Sequence, residues 1–240
     1  MPSVQIIGNG RAGGSFARAL GGLPELDVLE VLGRGDDLSG AAEGVVLVLI
    51  TVPDAAVEAV AAQVGRNPNA VIAHCSGSLG LAALAGHWRR AVLHPLAALP
   101  TPEDGARALL DGCWFGLSAE GDPLAAEIVD GLGGRPMVIA EEDWPRYHAA
   151  AAIAANHFVG LMGQVERIAA SIGVPMHAYL DLAAGAWDDV RQHGAAGALT
   201  GPVARGDWAT VEAHLVALPE DEREAYQAGV DLCRRLLPPG

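Results

Sequence analysis

The first part of the chain alternates short apolar runs with segments of helical spacing. The apolar runs are nearly continuous in Val, Ile and Leu, a pattern typical of parallel strands that are covered on both faces. Predicted strands occupy residues 4–7, 26–32, 45–53, 70–77, 91–96, 113–119 and 135–140. Helical spacing lies between them, at residues 15–20, 54–64 and 122–134. The pattern predicts an α/β fold of Rossmann type with a mostly parallel sheet.

The strand pattern stops near residue 141, and the remaining chain has helical spacing. A long helix is expected over residues 144–172, ended by Gly173 and Pro175. We therefore predict two domains, a nucleotide-binding domain at 1–140 and a smaller all-α domain at 141–240 that serves for substrate binding or dimerisation.

The charge balance limits the classes of partner. Fifteen basic and 29 acidic residues give a net charge of −14, which disfavours nucleic acid and anionic membranes. The three cysteines are widely spaced and form no CxxC pair, so neither a disulfide framework nor a metal site is expected. The sequence has neither a basic leader nor an apolar stretch of about 18 residues, and this favours a cytoplasmic protein.

A GxGxxG motif follows the first predicted strand and opens a helix, which is the context that dinucleotide binding requires. Gly8 permits the tight turn, Gly10 lets the backbone approach a pyrophosphate, and Gly13 lets the helix pack on the strand. The residues between them, predicted to share the site, are Asn9, Arg11 and Ala12. The alternative is a glycine-rich turn without a ligand.

The end of the second predicted strand bears on the choice of cofactor. Arg34 stands where NAD enzymes carry an acidic residue, and its guanidinium suits the 2′-phosphate of NADP(H). Glu30, Asp36 and Asp37 leave an NAD-type contact open, and Arg34 could instead be a solvated turn residue. Two further predicted cofactor contacts end the third strand, Val52 and Pro53, although Pro53 is equally well explained as a first-turn helix residue.

Five stretches together carry a family resemblance: GNGRAG, HCSGSLG, VLHPLAAL, RYHAAAAIAANHF and ALTGPVARGDWATVEAHL. The chain resembles the Rossmann-like NADP oxidoreductases whose C-terminal half is a domain of unknown function, and it is similar in plan to ketopantoate reductase and pyrroline carboxylate reductase. The resemblance implies an N-terminal NADP domain, a helical C-terminal domain that often dimerises, and a cleft between them. Its first candidate activity is the NADPH-dependent reduction of a small keto acid.

Ketopantoate reductases carry Lys, Asn and Asn at i, i+4 and i+8, and this chain resembles that layout with His148, Ala152 and Asn156. In a regular α-helix these positions share one stripe. His148 would then replace the lysine as general acid, and Asn156 would orient the substrate. Alternatively, His148 caps the helix or binds Trp144 or Glu142, and Asn156 makes an interhelical contact.

Four more residues complete the predicted site. His94, at a strand end before a proline, is a rival acid or base, and Ser76 is a hydrogen-bond donor beside the nicotinamide. Thr200 and Arg205 would bind a substrate carboxylate, although Arg205 could instead form a structural ion pair with Asp207. His74 could simply cap a strand end.

Two other functions stay open from the sequence. One is imine reduction of the pyrroline carboxylate reductase type, and the other is a non-catalytic, regulatory NADP-binding protein, which the missing lysine favours. The long alanine-rich helix predicts a homodimer through the C-terminal helices. The expected substrate is a small anionic carbonyl compound.

Overall fold

Seven strands form one sheet in the computed structural model, which describes residues 1–238. The order across the sheet is β2-β1-β3-β4-β5-β6-β7. The strands are β1 (Ser3–Ile7), β2 (Asp27–Val28), β3 (Leu47–Ile50), β4 (Val71–His74), β5 (Arg90–Pro95), β6 (Trp114–Ser118) and β7 (Arg135–Ile139). All neighbours pair in parallel except β5 and β6, which are antiparallel. The predicted α/β fold with a mostly parallel sheet is confirmed.

The helices follow the predicted alternation and then continue without strands. They are α1 (Arg11–Gly21), α2 (Asp54–Ala61), α3 (Pro102–Leu110), α4 (Leu124–Gly131), α5 (Trp144–Ala152), α6 (Phe158–Ser171), α7 (Met176–Ala198, with a break at Gly194), α8 (Gly201–Arg205), α9 (Trp208–Ala217) and α10 (Glu220–Arg234). Short 3-10 turns lie at Leu81–Leu84 and Glu141–Asp143. The helix predicted over 144–172 is present as α5 and α6, with a π-helical turn, Ile153–His157, between them.

The second strand is much shorter than the predicted 26–32. Only Asp27 and Val28 pair regularly with β1, and an isolated bridge joins Leu32 to Ile7. Between these points the Gln5 side chain donates a hydrogen bond to the Glu30 carbonyl at 2.8 Å. The pairing shifts by one residue between Val4–Val28 and Ile7–Leu32, and this interrupts the regular strand without moving the chain away from β1.

Two apolar layers cover the sheet. On one side, α1 contributes Phe16 and Leu20 and α3 contributes Leu109, all fully buried beside sheet residues. On the other side, α2 contributes Val57 and Ala61 to a separate cluster. The strand order reverses at β1, because the chain leaves it toward β2 and returns to β3 on the opposite side. Such a reversal creates a crevice at the carboxyl ends of β1 and β3.

The chain divides into two compact units, Met1–Ala155 and one that begins at Asn156. The division lies 15 residues beyond the predicted domain boundary at 140/141. Helix α5 belongs to the first unit because Trp144, only 1% exposed, packs with Leu81 and Val92.

The second unit is helical and has a core of its own, formed by Val203, Val211 and Val230. The Arg167 guanidinium also pairs there with the buried Glu222. None of the helices in residues 1–238 combines the length and the apolar character that crossing a bilayer requires.

Candidate functional site

The glycine loop after β1 has two glycines that the fold itself requires and one that it does not. Gly8 has φ +114°, and a Cβ on Gly13 would lie 1.7 Å from the Gly8 carbonyl oxygen. A Cβ on Gly10 would meet no protein atom within 4 Å. The fold therefore explains Gly8 and Gly13, whereas Gly10 leaves space for a group that approaches the backbone. A pyrophosphate at this position fits the loop.

A cavity of about 410 Å³ opens beside this loop. Its walls come from the ends of β1 and β3, from the turn after β2 and from α2. The predicted cofactor residues among its lining are Gly8, Asn9, Gly10, Arg34, Val52 and Pro53, joined by Leu38, Ala56 and Val60. Apolar walls with a few polar groups at one end suit a nucleoside. Arg11 and Ala12 lie in the first turn of α1 and do not line the cavity.

The turn at the rim of the cavity has its carboxylates engaged. Asp36 accepts a hydrogen bond from the Gly33 backbone N–H at 2.6 Å, and Asp37 accepts one from the Ser39 N–H at 2.9 Å. The bond from Ser39 lowers the pKa of the Asp37 carboxyl. Among residues 1–238, no carboxylate lies within 4.0 Å of the Arg34 guanidinium. Arg34 is thus the cation that this rim offers to a ligand.

A second group of polar residues lies at the ends of β4 and β5 and on α5. The His94 Nδ1 lies 2.8 Å from the Tyr147 hydroxyl. The rings of His94 and His148 are perpendicular, with centroids 5.8 Å apart. Both rings face Gly77, where a Cβ would lie 2.5 Å from His94 Nε2 and 2.7 Å from His148 Cδ2. The absence of a side chain at Gly77 lets the two imidazoles converge.

His74 has a structural role in the same region. Its Nε2 lies 3.1 Å from the Gly80 carbonyl oxygen, and its Nδ1 accepts a hydrogen bond from the Ser76 N–H at 3.2 Å. Because Nδ1 accepts, Nε2 carries the proton and donates it to Gly80. Burial lowers the pKa of His74, so the ring is neutral and holds the loop after β4.

The serines of that loop are linked to α2. The Ser76 hydroxyl lies 3.2 Å from the Ser78 hydroxyl, which donates to the Asp54 carboxylate at 2.5 Å. Asp54 begins α2, directly after the cavity residues Val52 and Pro53. The Ser76 hydroxyl is thus part of a chain of hydrogen bonds that ties the loop after β4 to the cavity beside the glycine loop.

Burial determines the protonation of the histidine group. It lowers the pKa of His94 to about 4, with a further contribution from His148, while Asp54 acts in the opposite direction. Burial also raises the pKa of Tyr147 to about 12. At neutral pH His94 is an uncharged imidazole and Tyr147 keeps its proton.

The first unit thus brings together three of the predicted catalytic residues, Ser76, His94 and His148. His148 makes no side-chain hydrogen bond within residues 1–238, so neither Trp144 nor Glu142 binds its ring, and it lies in the second turn of α5 instead of capping it. Tyr147 is the residue that sequence reasoning missed. Its only sequence signal is its place beside His148, because its partner His94 lies 53 positions earlier in the chain.

The other three predicted residues belong to the second unit. Asn156 lies in the π-helical turn, whose wider hydrogen-bond spacing interrupts the stripe expected for positions i, i+4 and i+8. Thr200 precedes α8 and Arg205 ends it. Asp207 caps α9 by accepting a bond from the Thr210 N–H at 3.2 Å. Among the described residues, no ion pair links Arg205 to Asp207.

The C-terminal part of the chain is similar to one protein family. Residues 113–231 match the family described as "Domain of unknown function (DUF2520)". No curated protein matches the sequence.

Solved structures share the whole fold. A protein of Thermotoga maritima is 25% identical, with a TM-score of 0.73 and coverage of 97% of both chains. A Bacteroides fragilis protein to which NADP oxidoreductase activity is ascribed is 17% identical, with a TM-score of 0.80 and 98% coverage of both. The 1-pyrroline-5-carboxylate reductase of Streptococcus pyogenes is 14% identical, with a TM-score of 0.65, and covers 97% of this chain and 98% of its own. The predicted similarity in plan to pyrroline carboxylate reductase is confirmed at the level of the fold.

Proposed function

We propose that this protein is an NADPH-dependent oxidoreductase that reduces a small keto acid. The observation that carries the proposal is the open space beside the backbone of Gly10, next to the cavity at the strand-order reversal. The histidine group supports it, because His94 and the loop after β4 lie at the same carboxyl edge of the parallel strands. The B. fragilis structure, which shares this fold, is named for NADP.

Arg34 supports NADPH over NADH. In NAD enzymes an acidic residue near the end of the second strand binds the ribose hydroxyls, whereas Arg34 stands at that place in this chain. The Arg34 guanidinium lines the cavity and can bind a 2′-phosphate in a bidentate manner.

When bound, NADPH supplies the hydride that reduces the carbonyl carbon. The carbonyl oxygen then needs a proton. Transfer of the hydride and the proton gives NADP⁺ and a hydroxy acid as products. We assign the proton to His148, whose ring nitrogens make no hydrogen bond within residues 1–238 and whose ring faces Gly77. The Ser76–Ser78–Asp54 chain keeps the loop at Gly77 in place.

The substrate contacts are proposed from the second unit. Arg205 is the cation for a substrate carboxylate, Thr200 adds a hydroxyl, and Asn156 orients the reacting group. This role is supported because, among residues 1–238, no carboxylate lies within 4.0 Å of the Arg205 guanidinium and Asp207 is engaged as a helix cap. A protein of net charge −14 needs such a local cation to hold an anionic substrate.

Imine reduction is the second candidate function. Similarity in fold to a pyrroline-5-carboxylate reductase favours it. The two reactions differ in their need for an acid, because an iminium substrate already carries the proton that a carbonyl oxygen must receive. A His148 variant that loses keto acid reduction but keeps imine reduction would support the second function.

We also propose a homodimer through the C-terminal helices. Helix α7 contains no buried residue along its 23 positions, although Leu182 is 69% and Trp187 is 56% exposed. Exposed large apolar side chains on one long helix favour a protein partner. A monomeric mass in sedimentation at micromolar concentration would contradict the proposed dimer.

The function is tested by following NADPH and NADH oxidation with ketopantoate, other small keto acids and a cyclic imine. Arg34→Ala should raise the KM for NADPH about 10- to 100-fold, since a hydrogen bond to a charged group contributes about 1.5–3 kcal/mol, and should leave the KM for NADH unchanged. Arg107→Ala, which changes an exposed arginine outside the cavity, is the control. Equal effects of both substitutions, or no binding of NADPH, would contradict the proposal.

A further inference from the structure

Tyr147 connects helix α5 to the end of β5. It lies three residues after Trp144, so both side chains leave the same face of the helix. Their rings meet edge to face at 5.4 Å. Trp144 is 1% exposed and packs with Leu81 and Val92, so it anchors this face of the helix. The position of the Tyr147 hydroxyl is therefore set by packing and not by its hydrogen bond alone.

The surroundings of the hydroxyl determine the direction of its hydrogen bond to His94. Among residues 1–238, His94 Nδ1 is the only hydrogen-bond partner of the Tyr147 hydroxyl oxygen. A Cβ on Gly116 would lie 2.9 Å from that oxygen, so glycine permits the approach. If Nδ1 donated, the phenolic proton would have no acceptor in the described part of the chain, so the hydroxyl donates to His94 Nδ1, which lies 2.8 Å away. Nδ1 is then the acceptor.

The tautomer of His94 follows from this direction. A neutral imidazole carries one proton, and if Nδ1 accepts, the proton is on Nε2. Nε2 has no hydrogen-bond partner within residues 1–238, and it faces Gly77 beside His148. The enclosed side-chain nitrogens without partners in this part of the chain are His87 Nδ1 and Trp144 Nε1, so His94 Nε2 is not sealed from solvent. It is a free donor.

Burial keeps His94 uncharged. The titratable groups that face it are His148 and Tyr147 from α5, Asp54 from α2 and His74 from β4. Burial and the two histidines lower the pKa of His94 to about 4, although the Asp54 carboxylate acts in the opposite direction. A neutral imidazole N–H is a very weak acid but a good hydrogen-bond donor.

We propose that Tyr147 is a positioning residue that holds His94 in the neutral Nε2–H tautomer, as an uncharged hydrogen-bond donor to the substrate oxygen that gains electron density when hydride adds. This inference rests on the proposed reductase function. The two histidines then have different roles. His94 donates a hydrogen bond and keeps its proton, whereas His148 supplies the proton that the substrate oxygen receives. Donors aimed at a developing oxyanion are a major source of rate enhancement.

The test reads the tautomer directly by NMR of histidine ¹⁵N-labelled protein without NADPH, from pH 5.5 to 8. The His94 signals are identified by their loss in His94→Gln. Wild type should show the Nε2–H tautomer alone, and Tyr147→Phe, which removes only the hydroxyl, should populate both tautomers. In turnover, Tyr147→Phe should lower kcat about tenfold and leave the KM for NADPH unchanged.

Tyr226→Phe is a matched control, because the Tyr226 hydroxyl bonds His214 Nδ1 at 2.7 Å in the second unit. It should leave the His94 signals unchanged. An Nδ1–H tautomer in wild type, or a His94 tautomer that is the same in Tyr147→Phe, would overturn the inference. Because the tautomer is read without cofactor, either result combined with normal wild-type turnover would leave the proposed function intact.

Discussion

Gly10 and Gly13 allow the proposed cofactor site to be separated from the fold by two single-methyl substitutions in one loop. A Cβ on Gly13 would lie 1.7 Å from the Gly8 carbonyl oxygen and 2.7 Å from Thr51 Oγ1. The first of these atoms is backbone and cannot rotate away, so β1 and α1 must move apart. Overpacking of this kind costs about 1–3 kcal/mol, and we expect Gly13→Ala to fall at the upper end.

Gly10→Ala should leave stability unchanged within about 0.5 kcal/mol. Its backbone, with φ −76° and ψ −169°, is in the extended region that alanine adopts freely, and no protein atom lies within 4 Å of the added methyl group. The small penalty of alanine at a helix N-cap is offset by its lower entropy in the unfolded chain. The same methyl group would stand where the pyrophosphate approaches, so the Kd for NADPH should rise at least tenfold, or about 1.4 kcal/mol.

The assay combines urea unfolding of both variants with titration of NADPH by fluorescence. The two variants should lose different properties. Gly13→Ala should be destabilised, whereas Gly10→Ala should be stable but deficient in NADPH binding. An unchanged Kd in Gly10→Ala would refute the reasoning that the open space at Gly10 belongs to a dinucleotide. Unchanged stability of Gly13→Ala would show instead that the loop can adjust to a Cβ contact.

Three further predictions concern the rest of the first unit. Gly77→Ala should lower kcat at least tenfold without changing the Kd for NADPH, because its Cβ would lie 2.5 Å from His94 Nε2; an unchanged kcat would argue against a role of the two imidazoles. His94 has a folded pKa of about 4 against 6.5 unfolded, so stability should be greatest above pH 6.5 and fall by about 3 kcal/mol as the pH drops to 4. In urea unfolding across this range, the unfolding free energy of His94→Gln should change less with pH than that of wild type. An equal dependence on pH would show that His94 is exposed to solvent in the folded protein. Asp122→Ala should cost about 1–2 kcal/mol at pH 7, because the carboxylate caps α4 through the Leu124 N–H and pairs with Arg89. Although burial acts to raise the pKa of Asp122, these bonds lower it. The loss in unfolding free energy caused by Asp122→Ala should therefore shrink below pH 3.8. An undiminished loss at pH 3 would contradict a contribution from the charge of the carboxylate.

Local patterns were sufficient for the sheet and for the nucleotide loop. Apolar runs such as that of β3 indicate that a strand is buried on both faces. The spacing of Gly8, Gly10 and Gly13 indicates contacts between residues that are close in sequence. The same reasoning failed at β2, where the pairing with β1 shifts by one residue, and at Asn156, where a π-helical turn interrupts the regular spacing. Neither event has a signature in the hydrophobic pattern, because each depends on a competing hydrogen-bond arrangement.

The sequence by itself determined the α/β class, the dinucleotide loop and the choice of histidines as candidate chemistry, since these depend on side-chain type and short-range spacing. Only the tertiary structure decided which partners each histidine has. His74 is engaged through both ring nitrogens, whereas His94 has one nitrogen bound by Tyr147 and the other directed toward Gly77. These partners come from β4, β5 and α5, which are far apart in the chain. The packing of Trp144 on the sheet brings them together, and no local pattern encodes that contact.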